Sequence, residues 1–263
     1  MTTVLPNPVL LRRSRSLVPG AVVVWGVRAL IPIPFVLMTP EVVAAIRHEP
    51  EAMANVSASV ADVMGNSIFI AFVLMLAVTP ITTITGWRRH VVLRRDLGLA
   101  MFALAWTDLV LAAIATGDQF EGGVMNRVAG HSFLLLGTLA TVLTLPLALT
   151  ANRRAQRALG TYWKSIQRTT YLVWVLILVH LLMLFGLRDV FLHAMEVSVV
   201  LVIPRVPVIT SWWVRSRRSA AWPRTRVIVA LVLGGVLVAG LVPFVQNLAA
   251  AGTNAFHQHP VAD

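Results

Sequence analysis

His180 closes the run YWKSIQRTTYLVWVLILVH, residues 162–180, thirteen positions after Gln167. An imidazole this deep in an apolar stretch can ligate a metal or heme, or donate a ring N–H to a carboxylate. Glu196 offers that carboxylate: it and His180 each lie eight positions from Arg188, so a hairpin turning there brings them to one depth. Four full charges, Arg28, Asp108, Glu196 and Arg205, interrupt apolar runs. Each costs about 2.5–3.5 kcal/mol at mid-membrane, which demands an inward-facing partner or a function. Arg28 and Asp108 each stand about eleven residues into an outward-running span, a similar depth at about 1.5 Å per residue. An ion pair between them is expected, with a polar transport or proton path through the four charges as the alternative. His131 and His193 start helices, His90 sits in a loop, and His257 and His259 belong to a tail reading HQHP. These five are expected to be solvated, although the tail pair offers adventitious divalent metal a weak site.

Other chemistry is missing from the chain. With no cysteine, disulfides, thiolate metal sites, iron–sulfur clusters and thiol nucleophiles are excluded, and redox work requires a bound cofactor. There is no glycine-rich phosphate loop, no serine-hydrolase elbow and no HExxH. No catalytic residue is assigned.

The elements that position these residues follow from hydropathy. A 263-residue chain that is 57% hydrophobic and 13% charged has too little polar surface for a water-soluble globule. Apolar spans fall at roughly 17–38, 66–86, 97–117, 131–150, 170–187, 190–211 and 226–247. The expected fold is all-α, a polytopic membrane bundle of about seven helices. Threading the chain through them leaves seventeen basic residues on one side and only Arg47, Arg127 and Arg188 on the other. That asymmetry places the N-terminus in the cytoplasm and the C-terminus outside a cell (inner) membrane. The net charge of +11 therefore reports topology and contact with anionic lipid, and no nucleic-acid partner is expected. The organisation reads as a basic N-terminus (1–16), one transmembrane bundle (17–247) and an external tail (248–263). The first span, longer than a signal-peptide core, reads as an anchor.

Thr79-Pro80 is expected to interrupt the second span, and Pro204 with Pro207 the sixth. Trp87, Trp163, Trp212, Trp213 and Trp222 are expected as interfacial anchors with wet indole N–H groups. The stretch 153–168 is basic and amphipathic. It reads as a connector lying along the inner leaflet, or as a docking surface for a soluble flavin or reductase.

Four segments in order, GNSIFIAFVLMLAVTPITTITGW, RRDLGLAMFALAW, LGTLATVLTLPLALT and RALGTYWKSIQRTTYLVWVLILVH, resemble the ferric-reductase-like transmembrane family. Within it they are most similar to the MsrQ/YedZ type, the heme-bearing membrane subunit that serves periplasmic methionine sulfoxide reductase. The resemblance covers roughly residues 65–187. It implies a six-helix core holding b-type heme and accepting electrons at the cytoplasmic face from quinone or a flavin reductase. Delivery would be outward, to a periplasmic redox partner. Of the three positions where the family carries heme histidines, this chain has Asp108, Gln167 and His180. His180 alone matches; a carboxylate and an amide are poor ligands for heme iron.

Three functional classes follow: a membrane electron-transfer subunit, a heme-free scaffold or partner subunit that kept the fold, and a small-solute or ion transporter.

Overall fold

The computed structural model describes residues 18–38, 43, 50–85, 91–117, 128, 130–218 and 223–258. Its elements are α1 (Val18–Leu30), α2 (Ile33–Leu37), α3 (Pro50–Thr85), α4 (Val91–Gly117), α5 (Ser132–Leu149), α6 (Arg153–Leu159), α7 (Tyr162–Phe185), α8 (Asp189–Val202), a 3₁₀ turn (Ile203–Arg205), α9 (Pro207–Arg218) and α10 (Pro223–Gln258). No strand occurs among the described residues. A chain in hydrocarbon has to satisfy its own backbone, and helices do so within one segment.

Among the described residues five helices are long and apolar enough to cross a membrane, within α3, α4, α5, α7 and α10, and α8 with α9 makes a sixth if its bent pair is one span. The protein is thus a multi-pass helical membrane protein, with fewer spans than the seven expected. The difference lies at the first: residues 18–37 form two short helices, because Ile31-Pro32 breaks the run. The expected break at Pro204 and Pro207 is present as a 61° bend.

Pro80 does not end α3, which runs on to Thr85. A proline cannot supply the amide that would bond the carbonyl four residues back, here Leu76. The Arg205 guanidinium takes its place, donating from Nη2 to the Leu76 carbonyl and from Nη1 to the Leu201 carbonyl. Thr82 and Thr83 hydroxyls donate to Val78 and Thr79 carbonyls at 2.6 and 3.1 Å in the same turn. Trp213, only 5% exposed, gives its indole N–H to the Ile84 carbonyl at 3.2 Å. The bent segment after α8 is therefore laced to the last three turns of α3. That corrects two expectations. Arg205 belongs to no interior path, and Trp213 is a buried tether, not a wet anchor. Trp212 beside it is half exposed; Trp87 and Trp222 lie outside the described residues.

The core sits where α3, α7, α8 and α10 converge, around Phe69, Phe72, Trp174, Val197, Leu201 and Phe244. Phe69 stacks on Phe244 at 4.1 Å between centroids, and Trp174 lies 5.2 Å from Phe72. A second cluster joins Met38 to Val63, Met64, Leu104 and Leu111. Helices α5 and α7 pack mainly on each other. Leu135, Leu139, Val142, Leu145 and Leu149 form an exposed apolar stripe down α5, as expected of a face turned to lipid.

Candidate functional site

The imidazole of His180 is half-buried against α5. Its Nδ1 lies 2.7 Å from the Phe133 carbonyl. A carbonyl only accepts, so Nδ1 carries the proton and donates, leaving the Nε2 lone pair unused in the neutral ring. Gly137 makes room for the ring. A Cβ there would lie 3.1 Å from His180 Cε1 and 3.2 Å from Nδ1, tighter than ordinary contact. The Phe133 ring is tilted against the imidazole at 6.2 Å between centroids, and the His131 ring meets the Phe133 ring edge-on at 5.9 Å.

The expected His180–Glu196 bond is absent, and Glu196 is exposed. Equal depth along a hairpin does not set rotation about the helix axis, and α7 turns this face to α5, its main neighbour, away from α8. The Phe133 carbonyl and the Gly137 gap were the residues missed. A glycine inside an apolar run, as in LGTLATVLTLPLALT, was the available signal of close approach.

Gln167 begins the same helix, about 20 Å from His180 at 1.5 Å per residue. Its Nε2 donates to Thr150 Oγ1 at 2.9 Å and reaches the Leu147 carbonyl at 3.5 Å. Trp163 donates its indole N–H to the Thr150 carbonyl at 2.9 Å. The amide at this position is thus committed to fastening the α5–α7 connection.

The expected Arg28–Asp108 pair is replaced by Arg28–Asp96. Arg28 Nε and Nη2 lie 2.8 and 2.7 Å from Asp96 Oδ2, and Trp25 receives the guanidinium at 5.0 Å from its centroid. With the first span broken at Pro32, Arg28 ends a 13-residue helix near the start of α4. Asp108 stands about 18 Å further along that helix. It follows Leu104 and precedes Leu111 on the α4 face that packs in the second apolar cluster. The sole ion pair among the described residues is Arg28–Asp96, so Asp108 has no cation there. With Arg28 paired at the helix base, Arg205 bound to carbonyls and Glu196 exposed, the four charges do not form the interior path considered above.

His193 donates Nδ1–H to the Asp189 carbonyl of its own helix at 2.6 Å. His90 and the tail histidines fall outside the described side chains. No group of three or more metal-binding side chains occurs among the described residues.

One imidazole, with its proton directed to a backbone carbonyl and its Nε2 lone pair unused, fits a heme iron. Gln167 and Asp108 do not: the amide is engaged by Thr150, and Asp108 offers a carboxylate.

No family model matches the chain, and no solved structure matches it. Among curated proteins it is similar to one named protein-methionine-sulfoxide reductase heme-binding subunit MsrQ, from Azospira oryzae. The two are 34% identical over 159 residues, 57% of this chain and 67% of that relative.

Proposed function

Because the chain belongs to the MsrQ family, whose named relative is a heme-binding subunit, we propose that it is a divergent membrane electron-transfer subunit with His180 as its heme-iron ligand. The observation that carries this reading is the His180 Nδ1–H bond to the Phe133 carbonyl. Such a bond holds one ring orientation and one tautomer and raises the basicity of the other nitrogen. A heme held there passes single electrons between its ferric and ferrous forms. Gly137 lets the imidazole lie against α5, and Phe133 flanks its face.

In this reading the basic residues clustered at 88–95, 153–168 and 215–226, at one end of the remaining spans, set that end in the cytoplasm of an inner membrane. His180, five residues from the end of α7, then lies toward the outer side. Electrons enter from quinone or a flavin reductase at the cytoplasmic face and leave to a periplasmic redox partner. Gln167 is held by Thr150 and Asp108 offers only a carboxylate where the resemblance implies histidine ligands, so one heme is assigned, not two.

The test is an absorption spectrum of the detergent-purified protein from heme-replete cells. A Soret band that shifts on dithionite and disappears in His180→Ala is expected. A colourless wild-type protein that remains folded would instead support the scaffold reading.

A further inference from the structure

Between Glu121 and Asp189 the chain carries no acidic residue. In the middle of that stretch the link from α5 to α7 is a folded cap. Asn152 Oδ1 accepts the Ala155 N–H at 2.7 Å while its Nδ2 donates to the Leu149 carbonyl at 2.9 Å. The Trp163 and Gln167 bonds to Thr150 close the other side, and Gly160, at φ 52°, takes the left-handed turn between α6 and α7. With its own polar anchors bonded inward, the cap turns Arg153, Arg154, Arg157, Lys164 and Arg168 to the exterior, all exposed. Arg153 with Arg157 and Lys164 with Arg168 are four residues apart, so each pair shares a helix face. None of the five forms an ion pair among the described residues.

Two further features choose the partner. Helices α5 and α7 are both membrane spans, so the cap joining them lies at a membrane surface. The exposed stripe of α5 also runs without interruption into it: Leu145 and Leu149 lead to the charged turn, and Tyr162 beyond it is 74% exposed. A surface that is hydrocarbon-facing below and cationic immediately above matches the layering of an acidic phospholipid, acyl chain beneath phosphate.

We propose that the α5–α7 cap is a binding surface for the phosphate headgroups of acidic phospholipids, engaged by Arg153, Arg154, Arg157, Lys164 and Arg168. The rigid cap holds these cations in one arrangement before lipid arrives, which lowers the entropic cost of gathering them. The inference is independent of heme.

The full chain is reconstituted in nanodiscs of equal phosphatidylglycerol and phosphatidylcholine and re-extracted, and the retained lipids are quantified. Wild type is expected to hold phosphatidylglycerol over phosphatidylcholine by about fivefold or more, the preference worth roughly one surface cation. Replacing all five residues with Gln is expected to bring the ratio close to unity, and replacing the four arginines with Lys to preserve it. Melting temperatures in pure phosphatidylcholine discs should match for all three proteins, while phosphatidylglycerol should raise only those with the charges. No enrichment in wild type, or equal enrichment in the Gln variant, overturns the proposal. A Gln variant that retains phosphatidylglycerol but loses reduction by a soluble donor also overturns it, and assigns the surface to an acidic protein.

Discussion

Arg205 donates to the carbonyl of Leu76, the acceptor that Pro80 leaves without an amide four residues on. One side chain therefore repairs the break in α3 and anchors the 61° bend that follows α8. In hydrocarbon no water is available to bond the Leu76 carbonyl, so the contact has consequences beyond a surface hydrogen bond.

Arg205→Ala should destabilise the protein by about 2–3 kcal/mol, the scale of a hydrogen bond from a charged donor. Pro80→Ala returns the missing amide, so the same Arg205 substitution should cost measurably less in that background. Thermal unfolding of the four proteins in detergent gives the double-mutant cycle. Strictly additive losses would mean the two residues are not coupled.

Gly137→Ala places a methyl against the His180 ring, where the Cβ would meet Cε1 at 3.1 Å. Overpacking of this kind costs about 1–3 kcal/mol. In the heme-loaded protein it should also shift the reduced absorption bands or the midpoint potential, because the ring must give by a few tenths of an ångström and its bond to the Phe133 carbonyl is disturbed. Spectra identical to wild type would show that this bond does not orient the ligand.

Gln167→Ala should leave any heme content per protein unchanged while lowering stability by about 1 kcal/mol, since the amide donates to Thr150 Oγ1. Pyridine hemochrome quantification and a melting curve test the two halves. Lost heme with an unchanged melting temperature would make Gln167 a ligand after all.

Asp96→Asn and Asp108→Asn should behave differently. The first breaks a part-buried pair with Arg28, whose two side chains keep 33% and 22% of their surface exposed, and that partial solvent exposure limits the loss to about 1 kcal/mol. The second removes a carboxylate with no cation among its described neighbours, so the melting temperature should hold or rise. A marked fall for Asp108→Asn would reveal a partner for that carboxylate.

The membrane class, most span positions and the break near Pro204 and Pro207 were legible without coordinates. Apolar runs of about 20 residues have essentially one way to satisfy their backbone in lipid. Pro204 and Pro207 pointed to the bend for the same backbone reason. Pro80 was misread as an interruption because its compensating donor lies 125 residues later at Arg205. The first span was misread because its length and hydropathy do not reveal that Pro32 divides it into helices of 13 and 5 residues.

By itself the sequence determined a cysteine-free helical bundle with a basic end, with His180, Asp108 and Gln167 set in its apolar runs. Only the tertiary structure decided the partners: Phe133 and not Glu196 for His180, Asp96 and not Asp108 for Arg28, Thr150 for Gln167. Counting residues along a helix gives depth, but each residue also rotates the side chain by about 100°. The packing of one helix on another selects which of those directions meets a partner.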